Sequence, residues 1–153
     1  MRRMALVLTL VIIAACGKKD EEAPPLDTVP AAEPAPVVDL ASVAGMWNMQ
    51  VMGATSDSVL TTYTLTATAD TAGWTLKLPD RDAMTLTVTV SGDSIISDSP
   101  EYESVLQKGV RVHTSSVFRV RGDSMFGTTT ARYRMTSGDS VVMLRAVGTR
   151  HAM

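Results

Sequence analysis

Three times between residues 88 and 142 an alternating apolar/polar run is broken by Gly-Asp-Ser, and nothing else in the chain constrains its fold as much. The breaks are Gly92-Asp93-Ser94, Gly122-Asp123-Ser124 and Gly138-Asp139-Ser140. Val88-Thr89-Val90, Phe118-Arg119-Val120 and Arg134-Met135-Thr136 lead in, and Ile95-Ile96, Met125-Phe126 and Val141-Val142 lead out. A two-residue Gly-X loop between alternating runs marks a tight hairpin, because glycine takes the positive φ of the first corner at no steric cost. An antiparallel meander is the expected result.

The rest of the domain, expected over 43–150, carries the same period of two. Trp47, Met49 and Val51 share one face of the first run. Tyr63, Leu65, Ala67 and Ala69 then alternate with Thr62, Thr64, Thr66 and Thr68, a strand signature rich in β-branched residues. Asp70–Gly73 turns the chain into Trp74–Leu78, and Pro79–Asp82 turns it into Met84–Val90, with Leu86, Val88 and Val90 facing in. At Ser99-Pro100-Glu101 the pattern changes to a helix start, followed by Tyr102, Val105 and Leu106 at i, i+3 and i+4 and by Gly109 as a stop. One short helix is therefore expected over 100–108, lying across an end of the sheet and plugging it with Tyr102 and Leu106. Three long strands follow, at about 110–121, 124–135 and 140–150. The fold class is all-β: an eight-stranded antiparallel up-and-down meander barrel, with a β-sandwich as the alternative. Closure removes the exposed strand edges that invite aggregation.

Register can be counted outward from the last two Gly-Asp turns. His113 falls opposite Arg132, Arg111 opposite Arg134, Arg134 opposite Met143 and Arg132 opposite Arg145. Arg111, His113, Arg132, Arg134 and Arg145 then gather on one face, with Val110, Val112, Phe118, Ala131, Tyr133, Met135, Val142 and Leu144 forming the core on the other. Like charges directly opposite one another are destabilising. Such a face is either solvated and screened, paired with the acids of the N-terminal segment, or a site for an anionic partner.

Other chemistry is hard to find. With 14 Lys+Arg against 16 Asp+Glu the chain lacks the basic surplus of a nucleic-acid binder. One cysteine forbids an internal disulfide, and with only His113 and His151 a zinc site of the usual type is not expected. No nucleophile elbow, phosphate loop or dinucleotide fingerprint occurs. Asp80 and Asp82 sit in a Pro-Asp turn, where aspartate serves the backbone. The expectation is a non-enzyme with no cofactor and no metal.

The N-terminus reads as an address. Arg2 and Arg3 precede the apolar run Met4–Ala15, broken only by Thr9. That is too short for the ~20 apolar residues of a spanning helix but suits the core of a signal peptide. It ends in Ile13-Ala14-Ala15-Cys16-Gly17, which resembles the lipobox of bacterial lipoproteins. The resemblance implies that 1–15 is removed and that Cys16 is lipidated, anchoring the chain to a membrane of the bacterial cell envelope. In that family an Asp directly after the cysteine tends to retain the protein at the inner membrane; Gly17 stands there, which favours the outer membrane, facing the periplasm. Several acyl chains hold firmly where one binds only marginally. The remainder of 16–42 is rich in proline, alanine and acids, a composition that stays extended, and at ~3.1 Å per residue about 20 residues reach ~60 Å.

Gly45-x-Trp47 at the first strand is similar to the Gly-x-Trp motif of lipocalins. In that family the Trp closes the base of an eight-stranded barrel and a late Arg packs over it; Arg145 or Arg150 is placed to do so here. The family's Thr-Asp-Tyr motif is missing. The resemblance implies a lipocalin-like barrel and a small apolar or amphiphilic ligand in its mouth. The alternative function is an envelope interaction protein using the basic face.

Overall fold

A computed structural model describes residues 37–151; Cys16, the signal segment and most of the tether lie outside the described residues. The chain forms a short helix α1 (Leu40–Val43) and ten strands: β1 (Gly45–Gly53), β2 (Val59–Ala67), β3 (Thr75–Lys77), β4 (Met84–Thr85), β5 (Thr87–Ser91), β6 (Ser94–Asp98), β7 (Tyr102–Glu103), β8 (Arg111–Arg121), β9 (Ser124–Arg134) and β10 (Ser140–Arg150). All pair antiparallel in one sheet, ordered β4-β3-β2-β1-β10-β9-β8-β6-β5, with β7 beside β8. The two ends of that order are one bent strand. Leu86 separates β4, which pairs with β3, from β5, which pairs with β6, and its N–H donates to the Trp74 carbonyl at 2.9 Å. The sheet thus curls into a nearly closed barrel with one unsealed seam rather than a sandwich.

Two hairpins form as their sequence dictates. Ser91 pairs with Ser94 and Arg121 with Ser124, and the glycines between them, Gly92 and Gly122, both have φ of 57°. The third differs. Tyr133 pairs with Ser140, so the loop spans 134–139, with a turn closed by Gly138 N–H on the Met135 carbonyl at 3.1 Å. β10 is therefore slid by four residues: Met143 faces Thr130, where a two-residue loop would place Arg134. An even slide keeps every inward residue inward, so the alternation cannot distinguish the registers. Packing does. In the observed register Gly148 lies between Met49 and Met125 and Gly127 faces Ala146; Gly127 also lies opposite Phe118, a pairing that β8 and β9 make by themselves. A Cβ on Gly148 would strike the Met49 sulfur, and one on Gly127 the Val117 carbonyl and the Phe118 ring.

The expected helix over 100–108 is absent, and the one helix among the described residues is α1, capped by Asp39, whose carboxylate accepts from Ala41 N–H at 3.0 Å. Ser99 does not cap. Its backbone N–H donates to the Thr114 carbonyl, and its hydroxyl accepts from Thr114 N–H, each at 2.9 Å. This extends the pairing of β6 with β8 past Pro100, so that Tyr102 meets Val112 and Glu103 meets Arg111. An isolated two-turn helix is marginal in water, and pairing with the open edge of β8 wins. β7, together with the break at Leu86, raises the strand count from the expected eight to ten.

Inward positions of β1, β2, β8, β9 and β10 form the core as the alternation implies, including Tyr63, Leu65, Val112, Phe118, Ala131, Tyr133 and Leu144. Ala69 lies beyond the end of β2 and is exposed, and Val142 stands at the rim rather than in the core.

Candidate functional site

The two ends of the barrel are built differently. At one end, Trp47, Trp74, Phe118, Met49, Leu65, Ile95, Met125 and Val43 are essentially inaccessible. The Trp47 indole N–H donates to the Val43 carbonyl at 3.0 Å, and the Arg150 guanidinium lies 4.4 Å from its ring centroid. Arg150 also donates to the Ala44 and Ser42 carbonyls at 2.7 Å and to Asp123 at 3.0 Å. Gly45, with φ of 134°, brings the backbone so close that a Cβ would sit 3.2 Å from Arg150 Nη1. The Gly-x-Trp spacing is thus explained by its own geometry. Of the two arginines expected over Trp47 it is Arg150 that arrives, because Trp47 pairs with Arg150 across β1 and β10. Arg145 lies toward the other end, opposite Met52, and bonds the Ser56 carbonyl and Asp57.

At the other end a cavity of about 50 Å³ opens between β1, β2, β3 and β7 to β10. Its wall mixes aliphatic side chains, Leu76, Leu78, Val112 and Leu144 among them, with hydroxyl-bearing ones, and the loop 104–109 covers it with Val105 and Leu106. That loop is pinned by local bonds. Ser104 Oγ accepts from the N–H groups of Leu106 and Gln107 at 3.0 Å, and Glu103 accepts from Gly109 N–H at 2.9 Å. Arg81, from the β3–β4 connection, donates to the Glu103 carbonyl and so ties β7 to the opposite side of the seam. Tyr102 and Leu106 do sit at the barrel end, as expected of a helix there, but they are carried by a strand and a loop.

All three tyrosines of the chain, Tyr63, Tyr102 and Tyr133, line this cavity. Burial pushes the Tyr63 phenol well above its ordinary range, and the nearby Tyr102 adds to the effect. Burial likewise raises Tyr102, opposed by the Thr114 hydroxyl and reinforced by Tyr133. The phenols of Tyr63 and Tyr102 therefore stay protonated and neutral. One layer deeper, Ser116 and Thr129 face each other across β8 and β9 with their hydroxyls 2.8 Å apart, both buried. No charged side chain lines the cavity among the described residues. What it offers is van der Waals contact and neutral hydrogen bonds.

The basic face is only partly assembled. Arg111 pairs with Arg134 and His113 with Arg132, as counted from Gly122. The slide of β10 removes the fifth member: Arg132 faces Val141, and Arg145 faces Thr128. Acids cover much of what remains. Arg134 Nε lies 2.6 Å from Glu101 Oε1, His113 Nε2 lies 4.0 Å from Asp98 Oδ1, and Arg111 donates to the Glu101 carbonyl at 2.9 Å. Arg132 has no ion pair among the described residues. Sequence reasoning did not single out the Ser116–Thr129 pair or the tyrosine cluster. The first was within reach, since the Gly122 turn places Ser116 opposite Thr129 on the inward face.

No protein-family model, curated protein or solved structure matches this chain. Among the described residues no helix is long and apolar enough to cross a membrane, and no group of three His, Cys, Asp or Glu is placed to hold a metal.

Proposed function

We propose that this is a lipid-anchored bacterial envelope protein, held at the outer membrane through Cys16, whose barrel takes a small apolar or amphiphilic molecule at its open end. The observation that carries the reading is the uncharged, largely apolar cavity beneath loop 104–109, in a barrel whose opposite end is tightly packed. The enclosed volume of about 50 Å³ is well below the ~300 Å³ at which ligand pockets usually begin. A ligand therefore enters by lifting Val105 and Leu106, already 39% and 38% exposed, about Gly109, whose φ is 77°. The outer basic face supports an anionic partner less well, because Glu101 and Asp98 lie against it.

The test is the fluorescence of N-phenyl-1-naphthylamine, an apolar dye, with the native protein and with Ala131→Phe, which fills the cavity. Saturable enhancement lost in the variant supports the reading; no enhancement, or enhancement equal in both, refutes it. Separately, Cys16→Ser is expected to move the protein from the membrane fraction to the soluble one, and membrane retention of that variant would refute the anchor.

A further inference from the structure

The cavity's hydroxyls are not distributed as a purely apolar pocket requires. Tyr63 and Tyr133 are 9% and 3% exposed, yet neither phenol forms a hydrogen bond among the described residues. Among the described residues every fully enclosed side-chain polar atom has a partner, so these two oxygens are not fully enclosed; both residues line the cavity. Tyr102 lies near enough to Tyr63 to raise its phenol, and Tyr133 near enough to Tyr102 to raise that one. Ser116 and Thr129 bond each other, but each hydroxyl keeps further capacity as donor or acceptor. A guest that covers such a hydroxyl without replacing its bond to water leaves it unpaired, which is costly, so a guest that supplies a partner gains affinity over a guest that does not. A charged guest gains nothing comparable, since no lining side chain among the described residues can pair with it.

We infer that the molecule this cavity takes has an apolar body with an uncharged hydrogen-bonding group, a hydroxyl or carbonyl, at the end that enters first, and that Tyr63, Tyr133 and the Ser116–Thr129 pair receive it. The inference rests on the cavity reading above and names the chemistry of its occupant. It sets neutral, polar-tipped molecules apart both from hydrocarbons and from carboxylates buried head first.

The experiment titrates p-cresol, toluene and benzoate into the full-length protein at pH 7 by calorimetry. The three share a ring and differ in the group they present. p-Cresol is expected to bind at least about tenfold more tightly than toluene, equivalent to ~1.4 kcal/mol, and benzoate more weakly than either. Tyr63→Phe with Tyr133→Phe is expected to abolish the p-cresol preference while toluene binds as before or better. Should that double variant fail to fold, Thr129→Val provides a second reading of the same preference. Equal binding of toluene and p-cresol by the native protein overturns the inference, as does a preference that survives the substitutions. If the naphthylamine dye binds and p-cresol shows no advantage, the inference alone fails. If neither the dye nor any of the three binds, the cavity reading fails with it.

Discussion

The closed and open ends of this barrel are made from the same strands and reach opposite solutions. At the closed end large side chains meet glycines: Met49 over Gly148, Phe118 over Gly127, Trp47 beneath Arg150. At the open end large side chains meet hydroxyls, and a gap remains between them. The difference teaches where stability and function are divided. Interiors packed to crystal density gain dispersion and exclude water, whereas a gap forfeits contacts and persists at a cost.

The largest expected effect lies at the closed end. Trp47→Ala removes a fully buried ring, its hydrogen bond to Val43 and its contact with Arg150, and should cost about 3–5 kcal/mol in urea unfolding. A cost below 1 kcal/mol would mean that this end is not the structural anchor. Gly127→Ala should cost about 1–3 kcal/mol, because the new methyl meets the Val117 carbonyl, which cannot step aside. Gly148→Ala should cost less, since it meets the flexible end of Met49. The reverse order would break the packing account of the closed end.

At the open end the effects are smaller and polar in origin. Thr129→Val leaves Ser116 without its partner and should cost about 1–3 kcal/mol, whereas Ser116→Ala with Thr129→Val should restore much of that loss. Additive costs in a double-mutant cycle would show that the two hydroxyls do not depend on each other. Alkaline pH sharpens the same contrast. Above pH 10 the unfolded Tyr63 releases a proton that the buried phenol keeps, so stability should fall as pH rises, by about 1.4 kcal/mol per unit from this group. Below pH 10 both states hold the proton and Tyr63 contributes no slope. Tyr63→Phe should flatten the decline measured by denaturation between pH 10 and 11, and an unchanged slope would place that phenol in water.

The closed end and the open end were also unequally legible. The Gly122 turn gave every pairing of β8 with β9, from Arg121 opposite Ser124 to Arg111 opposite Arg134. The same reasoning at Gly138 failed. A four-residue slide preserves the inward and outward faces, and only the long-range fit of Gly148 between Met49 and Met125 selects the true register. With it went Arg145, as a member of the basic face and as a cover for Trp47. The stretch 100–108 misled because its helix signals are local, while the bonds from Ser99 to Thr114 and from Tyr102 to Val112 are not. The inward position of Tyr63 and Tyr133 was legible from alternation. The gap between them was not, since it depends on side-chain volumes on six or more strands at once.

The account turns on the claim that the barrel admits a guest at one end only. Methyl ¹H–¹³C spectra of the protein titrated with p-cresol test it most directly. Saturable shifts confined to Leu76, Leu78, Val105, Leu106, Val112 and Leu144, with Val43, Leu65 and Ile95 unmoved, are the predicted result. Shifts spread over both ends, or confined to the closed one, would contradict it.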